Sequence, residues 1–257
     1  MASRGRLLLV PSTLDLGTGC EVPLDEVLPR TVIARAAKLG HWVAENAKSA
    51  RALLKRIDAV VPLAQPLQAI QICELPRPRK GGGPDVAAPD LKPLLAPALA
   101  GHDLGLVSEA GLPAVADPGA ALVAVAHDLG LVVEPLAGPS ALLLALAASG
   151  LNGQSFAFVG YLPVEPGART VRIRELEALS RRLGQTQIAI ETPYRNDALL
   201  AALVNALLPS TRLAVASGLS LPQGRCLSRS VKDWRSNSAL RPGLGANLPA
   251  VFLWLAG

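Results

Sequence analysis

The residue types best placed to do chemistry lie in the stretch Leu104-Gly105-Leu106-Val107-Ser108-Glu109-Ala110-Gly111-Leu112-Pro113-Ala114-Val115-Ala116-Asp117-Pro118-Gly119. An apolar run enters a turn with small residues at Ala110 and Gly111. It leaves through Asp117-Pro118-Gly119 into a helix, a form that lets a ligand approach backbone amides and carbonyls closely. The turn suits a nucleotide-sized ligand but is not the glycine fingerprint of dinucleotide-binding folds. A second turn, Leu136-Ala137-Gly138-Pro139-Ser140-Ala141, also delivers a strand to a helix start. Free N–H groups and the helix dipole favour a carboxylate there. Two such turns on adjacent connections weigh more than one.

Other chemistries are poorly supplied. Cys20, Cys73 and Cys226 are odd in number and far apart, so neither a disulfide framework nor a zinc knuckle is expected. His41, His102 and His127 do not stand at helical metal-ligand spacing, and each falls beside an element boundary where a solvated imidazole is ordinary. No metal is expected. The chain has 25 Lys+Arg against 20 Asp+Glu, unevenly spread. Residues 1–136 hold 13 cations and 14 anions, net −1, whereas residues 137–257 hold 12 and 6, net +6, and eleven of those twelve cations are Arg. Arg169, Arg172, Arg174, Arg181 and Arg182 could present a polyanion surface. A solvated helix face with pairs such as Arg172 and Glu175 is the alternative.

These residues must be positioned by a folded scaffold. The 257 residues suffice for one large or two ordinary domains, and the 23 Gly and 22 Pro are scattered between apolar segments instead of gathered in tracts. Mean hydropathy is +0.35, yet no uninterrupted apolar stretch has the length of a bilayer span, and the run Leu7–Val10 stops at Pro11, too soon for a secretion signal. A cytoplasmic protein is expected.

Short apolar runs alternating with helical periodicity describe an α/β protein. Strands are predicted at residues 7–10, 41–44, 104–107, 131–134, 156–160, 187–190, 213–216 and 250–255. Helices are predicted over about 46–57, with Asn46 as cap and Ala50, Leu53, Leu54 and Ile57 on one face, and over about 118–129, 140–149 with Ser140 as cap, 167–183 and 196–208. From 62 to 93 the pattern weakens, and Pro76 to Pro84 has the composition of a mobile loop. Between 217 and 249 antiparallel strands and turns are expected, with no helix. The sum is two α/β domains, 1–136 and 137–257.

Read in order, V-P near residue 10, L-V-S-E-A-G-L-P-A-V-A-D-P-G from Leu106, P-L-A-G-P-S-A from Pro135, S-G-L from Ser149, F-A-F-V-G-Y-L-P from Phe156 and E-T-P-Y-R from Glu191 resemble the tetrapyrrole methylase family. The similarity is strongest over residues 104–195. It is nearest to the branch containing the bacterial 16S ribosomal RNA ribose 2'-O-methyltransferases, of which this chain looks like a divergent paralogue. The resemblance implies S-adenosylmethionine as methyl donor, two α/β domains with the donor in the cleft between them, and a homodimer. It places the donor against Pro11, against Ser108, Glu109, Ala110, Gly111 and Val115, and against Ser140, Ala141 and Leu162. Further contacts fall on Glu191, Thr192, Ala216, Ser217, Pro249 and Ala250.

The chain departs from the branch where an acceptor would be expected. Where the ribose methyltransferases resemble A-E-D-T-R, it has Ala44-Glu45-Asn46-Ala47-Lys48-Ser49-Ala50-Arg51, which leaves Glu45 as candidate base and Asn46 and Arg51 as candidate acceptor contacts. Where they resemble P-T-P-I-G-N-L it has Pro11-Ser12-Thr13-Leu14-Asp15-Leu16-Gly17. RNA is the expected acceptor, with a small molecule such as a tetrapyrrole, or a silent donor-binding regulator, as alternatives. Trp42, Tyr161 and Tyr194 are the aromatic residues expected near the cleft.

Overall fold

The computed structural model describes residues 4–15, 18–76, 89–237 and 248–257. The loop read from Pro76 to Pro84 therefore lies, beyond Pro76, outside the described residues. The chain divides into two compact units, one running to residue 139 and the other from residue 140, with residues 18–20 grouped with the second.

The first unit is a parallel five-stranded sheet in the order β3-β2-β4-β1-β5, formed by β1 (Arg6–Leu9), β2 (His41–Ala44), β3 (Gln71–Glu74), β4 (Leu104–Val107) and β5 (Val132–Pro135). Helices α1 (Leu24–Val27), α2 (Arg30–Ala36) and α3 (Ala47–Val60) carry the chain from β1 through β2 to β3. Their apolar residues form one core with Leu8, Val10, Trp42 and Ala44. Helices α4 (Ala96–Leu99) and α5 (Ala120–Asp128) carry it back through β4 to β5, and pack with Leu7, Val43, Leu104 and Leu106 on the other core. Alternate strand residues thus serve opposite faces. The loops after adjacent strands β1 and β4 depart toward different faces, which opens a crevice at their carboxyl ends where α/β sheets bind ligands.

α3 illustrates why the sequence folds this way. Asn46 Oδ1 accepts hydrogen bonds from the Lys48 and Ser49 amides at 2.8 and 3.4 Å, a cap that contributes about 1 kcal/mol. Ala50, Leu53, Leu54 and Ile57 are all buried, as the i, i+3, i+4, i+7 spacing requires. Gly105, in the middle of β4, has no side chain for a reason: a Cβ there would lie 2.6 Å from the Trp42 ring.

The second unit is a mixed sheet, β6-β7-β10-β8-β9, built from β6 (Phe156–Gly160), β7 (Thr186–Glu191), β8 (Arg212–Ser217), β9 (Arg225–Ser230) and β10 (Ala250–Leu255). Only β6 and β7 are parallel. α6 (Ala141–Ser149) covers one face through Leu142, Ala145 and Leu146. α7 (Pro166–Leu183), α8 (Asn196–Ala206) and α9 (Val231–Ser236) cover the other, around Trp234, Phe252 and Trp254.

Four expectations change. Trp42 is 1% exposed and donates its indole N–H to the Leu39 carbonyl at 3.2 Å, so it is a core residue and cannot stack on a ligand. Ser140 occupies the cap position of α6, but its hydroxyl makes no capping bond. β3 is an edge strand exposed along most of its length, which removes the alternation a strand needs to be read. α9 is only six residues long; it starts where the Ser230 hydroxyl accepts from the Asp233 amide at 3.1 Å.

Candidate functional site

In the first unit the loops after β1, β4 and β5 converge on Gly111. The Ser12 amide donates to the Gly111 carbonyl at 2.8 Å, and the Gly111 amide donates to the Thr13 carbonyl at 3.4 Å. Gly111 has φ +66°, and a Cβ would meet the Pro139 carbonyl at 3.3 Å and Leu14 at 3.2 Å. Pro11 closes against Gly138, where a Cβ would stand 2.2 Å from the proline ring. Pro11, Ser108, Ala110 and Gly111 are thereby brought to one sheet edge, while Val115 stands 44% exposed on the outgoing arm of the loop.

The loop carries conformational strain. Ala114 and Ala116 have φ +66° and +63°, the only non-glycine residues with positive φ among the described residues. Left-handed backbone costs an alanine about 1–2 kcal/mol, and such strain gathers at ligand-binding turns.

Carboxylates brace the same loop and the start of α3 beside it. Glu45, just past β2, accepts from the Glu109 amide at 3.1 Å, and Glu109 accepts from the Ser49 hydroxyl at 2.9 Å. Glu74, at the end of β3, accepts from the Ala47 amide at 2.8 Å. Burial pushes Asp117 up to about 6; the Ser108 hydroxyl opposes that rise, and the charges of Glu45 and Glu109 add to it. Asp117 was legible only as part of the Asp-Pro-Gly turn, and nothing in its spacing marks it as titrating near neutrality. Asn46 is occupied as the α3 cap, and Arg51 is exposed on the same helix. Among the described residues no group of three or more His, Cys, Asp or Glu is arranged to hold a metal ion.

The loop that departs from the family pattern has its own lock. Asp15 is buried and receives both Arg56 guanidinium nitrogens at 3.0 Å, the Thr13 hydroxyl, and the Val22 amide at 3.0 Å. Arg56 also donates to the Val22 carbonyl at 2.6 Å. Burial alone would raise the Asp15 pKa; the bonds from Arg56, Thr13 and Val22 outweigh it and hold the carboxyl below its ordinary value.

In the second unit strand register assembles the edge. Ala250 pairs with Glu191 on one side and Ser217 on the other, so three predicted residues form a row across β7, β10 and β8. Ala216, Thr192 and Pro249 flank that row in sequence, and Leu162 is buried just after β6. The buried Glu191 carboxylate accepts from the Thr192 amide at 2.8 Å and its hydroxyl at 3.2 Å. Its other oxygen lies 2.7 Å from Arg195, an ion pair without the alignment of a hydrogen bond. Ser140 is buried at the start of the nine-residue α6, and Ala141 packs into the α6 core.

Most of the predicted residues thus lie at strand ends, at the carboxyl ends of β1 and β4 in the first unit and along the Glu191–Ala250–Ser217 row in the second. Residues 47–233 match the family described as Tetrapyrrole (Corrin/Porphyrin) Methylases. The ribosomal RNA small subunit methyltransferase I of Mesorhizobium japonicum is 39% identical over 145 residues, 56% of this chain and 45% of that protein. The Bacillus subtilis protein of the same name is 42% identical over 144 residues, 55% of this chain and 48% of that one. The chain thus matches about half the length of these curated relatives or less. Among solved structures, the methyltransferase CobJ aligns over 98% of this chain and 95% of its own, with a TM-score of 0.57 at 17% identity. The uroporphyrin III C-methyltransferase of Thermus thermophilus aligns over 98% and 97%, with a TM-score of 0.54 at 15% identity; at these identities the likeness is one of fold. Because the family match spans most of the chain and enters both units, this protein belongs to the tetrapyrrole methylase family.

Proposed function

We propose that this chain is an S-adenosylmethionine-dependent methyltransferase whose acceptor is RNA, with a ribose 2'-hydroxyl of ribosomal RNA as the reacting group. The observation that carries the donor is the strained, small-residue loop Ser108–Gly119 bound to the loop after β1 through Gly111. The RNA acceptor rests on the relatives' printed name and on the exposed Arg172, Arg174, Arg181 and Arg182 of α7. Division near residue 137 into two functional domains belongs to the same reading.

The residues present fit the donor. Ala110 and Gly111 leave backbone groups approachable, and the buried Ser140 hydroxyl, uncommitted to capping, stands where α6 amides favour a carboxylate. Each unit supplies its own contacts: Pro11, Ser108, Glu109, Ala110, Gly111 and Val115 from the first, and Ser140, Ala141, Leu162, Glu191, Thr192, Ala216, Ser217, Pro249 and Ala250 from the second. The donor supplies an electrophilic methyl on sulfur, and transfer is an in-line displacement in which alignment can remove roughly 7–11 kcal/mol of barrier. Glu45 holds the Glu109 amide and thereby the donor loop; its role as base toward a hydroxyl is the finer part of the proposal. Arg51 contacts the acceptor as an anion partner, and Asn46 sets the start of the helix that carries it.

The reading extends to a cytoplasmic homodimer, as the family resemblance implies; Leu143 and Leu144 are exposed apolar residues on α6 that a partner subunit would cover, and sedimentation mass tests the dimer. No helix among the described residues is long and apolar enough to cross a membrane.

Calorimetric titration with S-adenosylhomocysteine tests the donor: one site per chain, abolished by Gly111→Trp in a protein that still melts cooperatively, is the expected result. No binding at millimolar ligand would overturn the methyltransferase reading. For the acceptor, labelled methyl should enter ribosomal RNA, and RNA affinity should fall steeply with salt; label confined to small metabolites would replace RNA with the small-molecule class.

A further inference from the structure

The first unit has an open cavity at the amino ends of its strands, the opposite end of the sheet from Gly111. It spans about 710 Å³, lies open to solvent on one side, and is lined by Arg4, Arg6, Arg35, Lys38, His41 and His102, with Gln65 and Asp103. That volume is the size of a site for a small organic ligand. Three adjacent strands form its rim: Arg6 opens β1, His41 opens β2, and Asp103 precedes β4.

The side chains divide into those already neutralised and those free to act. Arg6 pairs with Asp103 at 2.6 Å and with Glu134 at 3.1 Å, and Arg35 pairs with Glu134 at 2.5 Å. Arg4 commits one nitrogen to the Leu129 carbonyl at 2.6 Å. Lys38 is exposed and makes no ion pair among the described residues. Four cations thus stand against two carboxylates. The His41 and His102 rings stack with centroids 5.1 Å apart, inclined by 30°. The glycines of this edge shape the cavity: a Cβ on Gly40 would press within 2.8 Å of the Gln65 amide, and one on Gly5 within 2.1 Å of the His102 carbonyl.

From this juxtaposition we infer that the cavity is a phosphate-binding site, distinct from the donor site, that takes a phosphate-bearing ligand between Lys38, Arg4 and the stacked His41–His102 pair. Excess guanidinium and ammonium charge meets the anion. Imidazole and amide donors satisfy its remaining oxygens. The Arg6–Asp103 and Arg35–Glu134 pairs hold the wall in place. The ligand source is either a free nucleotide or the backbone of a bound nucleic acid.

The three histidines make the test specific. His127 lies on α5 and does not line the cavity, so imidazole NMR resonances provide two reporters and one internal control. Titration with adenosine 5'-monophosphate, with tripolyphosphate and with a short unphosphorylated-end RNA oligonucleotide should move His41 and His102 saturably and leave His127 in place. Lys38→Glu should weaken the effect at least tenfold while S-adenosylhomocysteine binding is unchanged. A response to the nucleotide and tripolyphosphate identifies a free phosphate ligand. A response to the oligonucleotide alone, steeply dependent on salt, identifies the nucleic-acid backbone. Absence of any saturable shift, equal movement of all three histidines, or an unchanged response in Lys38→Glu would overturn the site whatever the fate of the donor reading.

Discussion

The parallel sheet of the first unit has two ends of opposite electrical character. Its carboxyl-end loops gather Glu45, Glu74, Glu109 and Asp117, with the buried Asp15 behind them. Its amino ends gather Arg4, Arg6, Arg35 and Lys38. A net charge of −1 over residues 1–136 therefore conceals a separation along the strands, and the sum alone says little about which partner each end accepts. The ends are also held differently. The carboxyl end relies on a buried ion pair and strained backbone, the amino end on half-exposed pairs.

The sharpest way to break that comparison is to remove one arginine from each end. Arg56→Ala leaves Asp15 buried without its partner and should destabilise by about 3 kcal/mol, roughly 6–12 °C in melting temperature. Arg6→Ala removes pairs that are nearly half exposed and should lose no more than about 1 kcal/mol. Equal losses would mean that the two ends are held alike.

The Gly111 turn comes next. Gly111→Ala keeps φ at +66° against the preference of an L side chain and should destabilise by about 1–2 kcal/mol, read by denaturant titration; a neutral result would mean that the loop relaxes freely.

Asp117 gives the carboxyl end a pH signature. Its carboxyl lies near 6 in the folded chain against an ordinary value of 3.8, so between those values the folded state binds more protons than the unfolded one. Stability from this group falls as pH rises through that window and is level above it. Asp15, Asp103 and Glu134 are shifted downward, and their contributions are lost only at lower pH. Melting temperature should therefore fall from pH 5 to pH 7, and Asp117→Asn should flatten that slope and raise stability at pH 7. A slope that survives in the variant would place its origin elsewhere.

The smallest effect is expected far from both ends. Arg172 on α7 makes an exposed i,i+3 pair with Glu175 at 3.2 Å, so Arg172→Ala should change stability by less than about 0.5 kcal/mol. If α7 contacts RNA phosphate, the same change lowers the salt slope of binding by about 1.

The sequence was most informative where local pattern and tertiary role coincide. The strands at 41–44, 104–107, 156–160 and 250–255 fall where they are expected, because each is an apolar run bounded by turn residues. The turn from Ser108 to Gly119 was legible for the same reason, as the small-residue connection that a strand leading into a helix requires. What stayed hidden depends on distant partners. Asp15 and Arg56 are 41 residues apart, and neither announces the other. Asp117 is pushed up to about 6 by burial and, less strongly, by the charges of Glu45 from the loop after β2 and Glu109 from its own loop. His41 and His102 read singly as solvated imidazoles, and only the adjacency of β2 and β4 makes them a pair. Trp42 was misplaced because a strand of four residues does not reveal which face it buries until the sheet is assembled.

The position of the tryptophans turns the two-unit architecture into an optical instrument. Trp42 is buried in the first unit, and Trp234 and Trp254 are buried in the second. All three fluorophores sit in apolar surroundings and will emit at short wavelength in the native protein. A Trp42→Phe chain glows from its second half alone, and the difference between its unfolding trace and that of the parent isolates the first. Whether the halves melt together or in sequence can thus be read from colour, without labels and without cutting the chain.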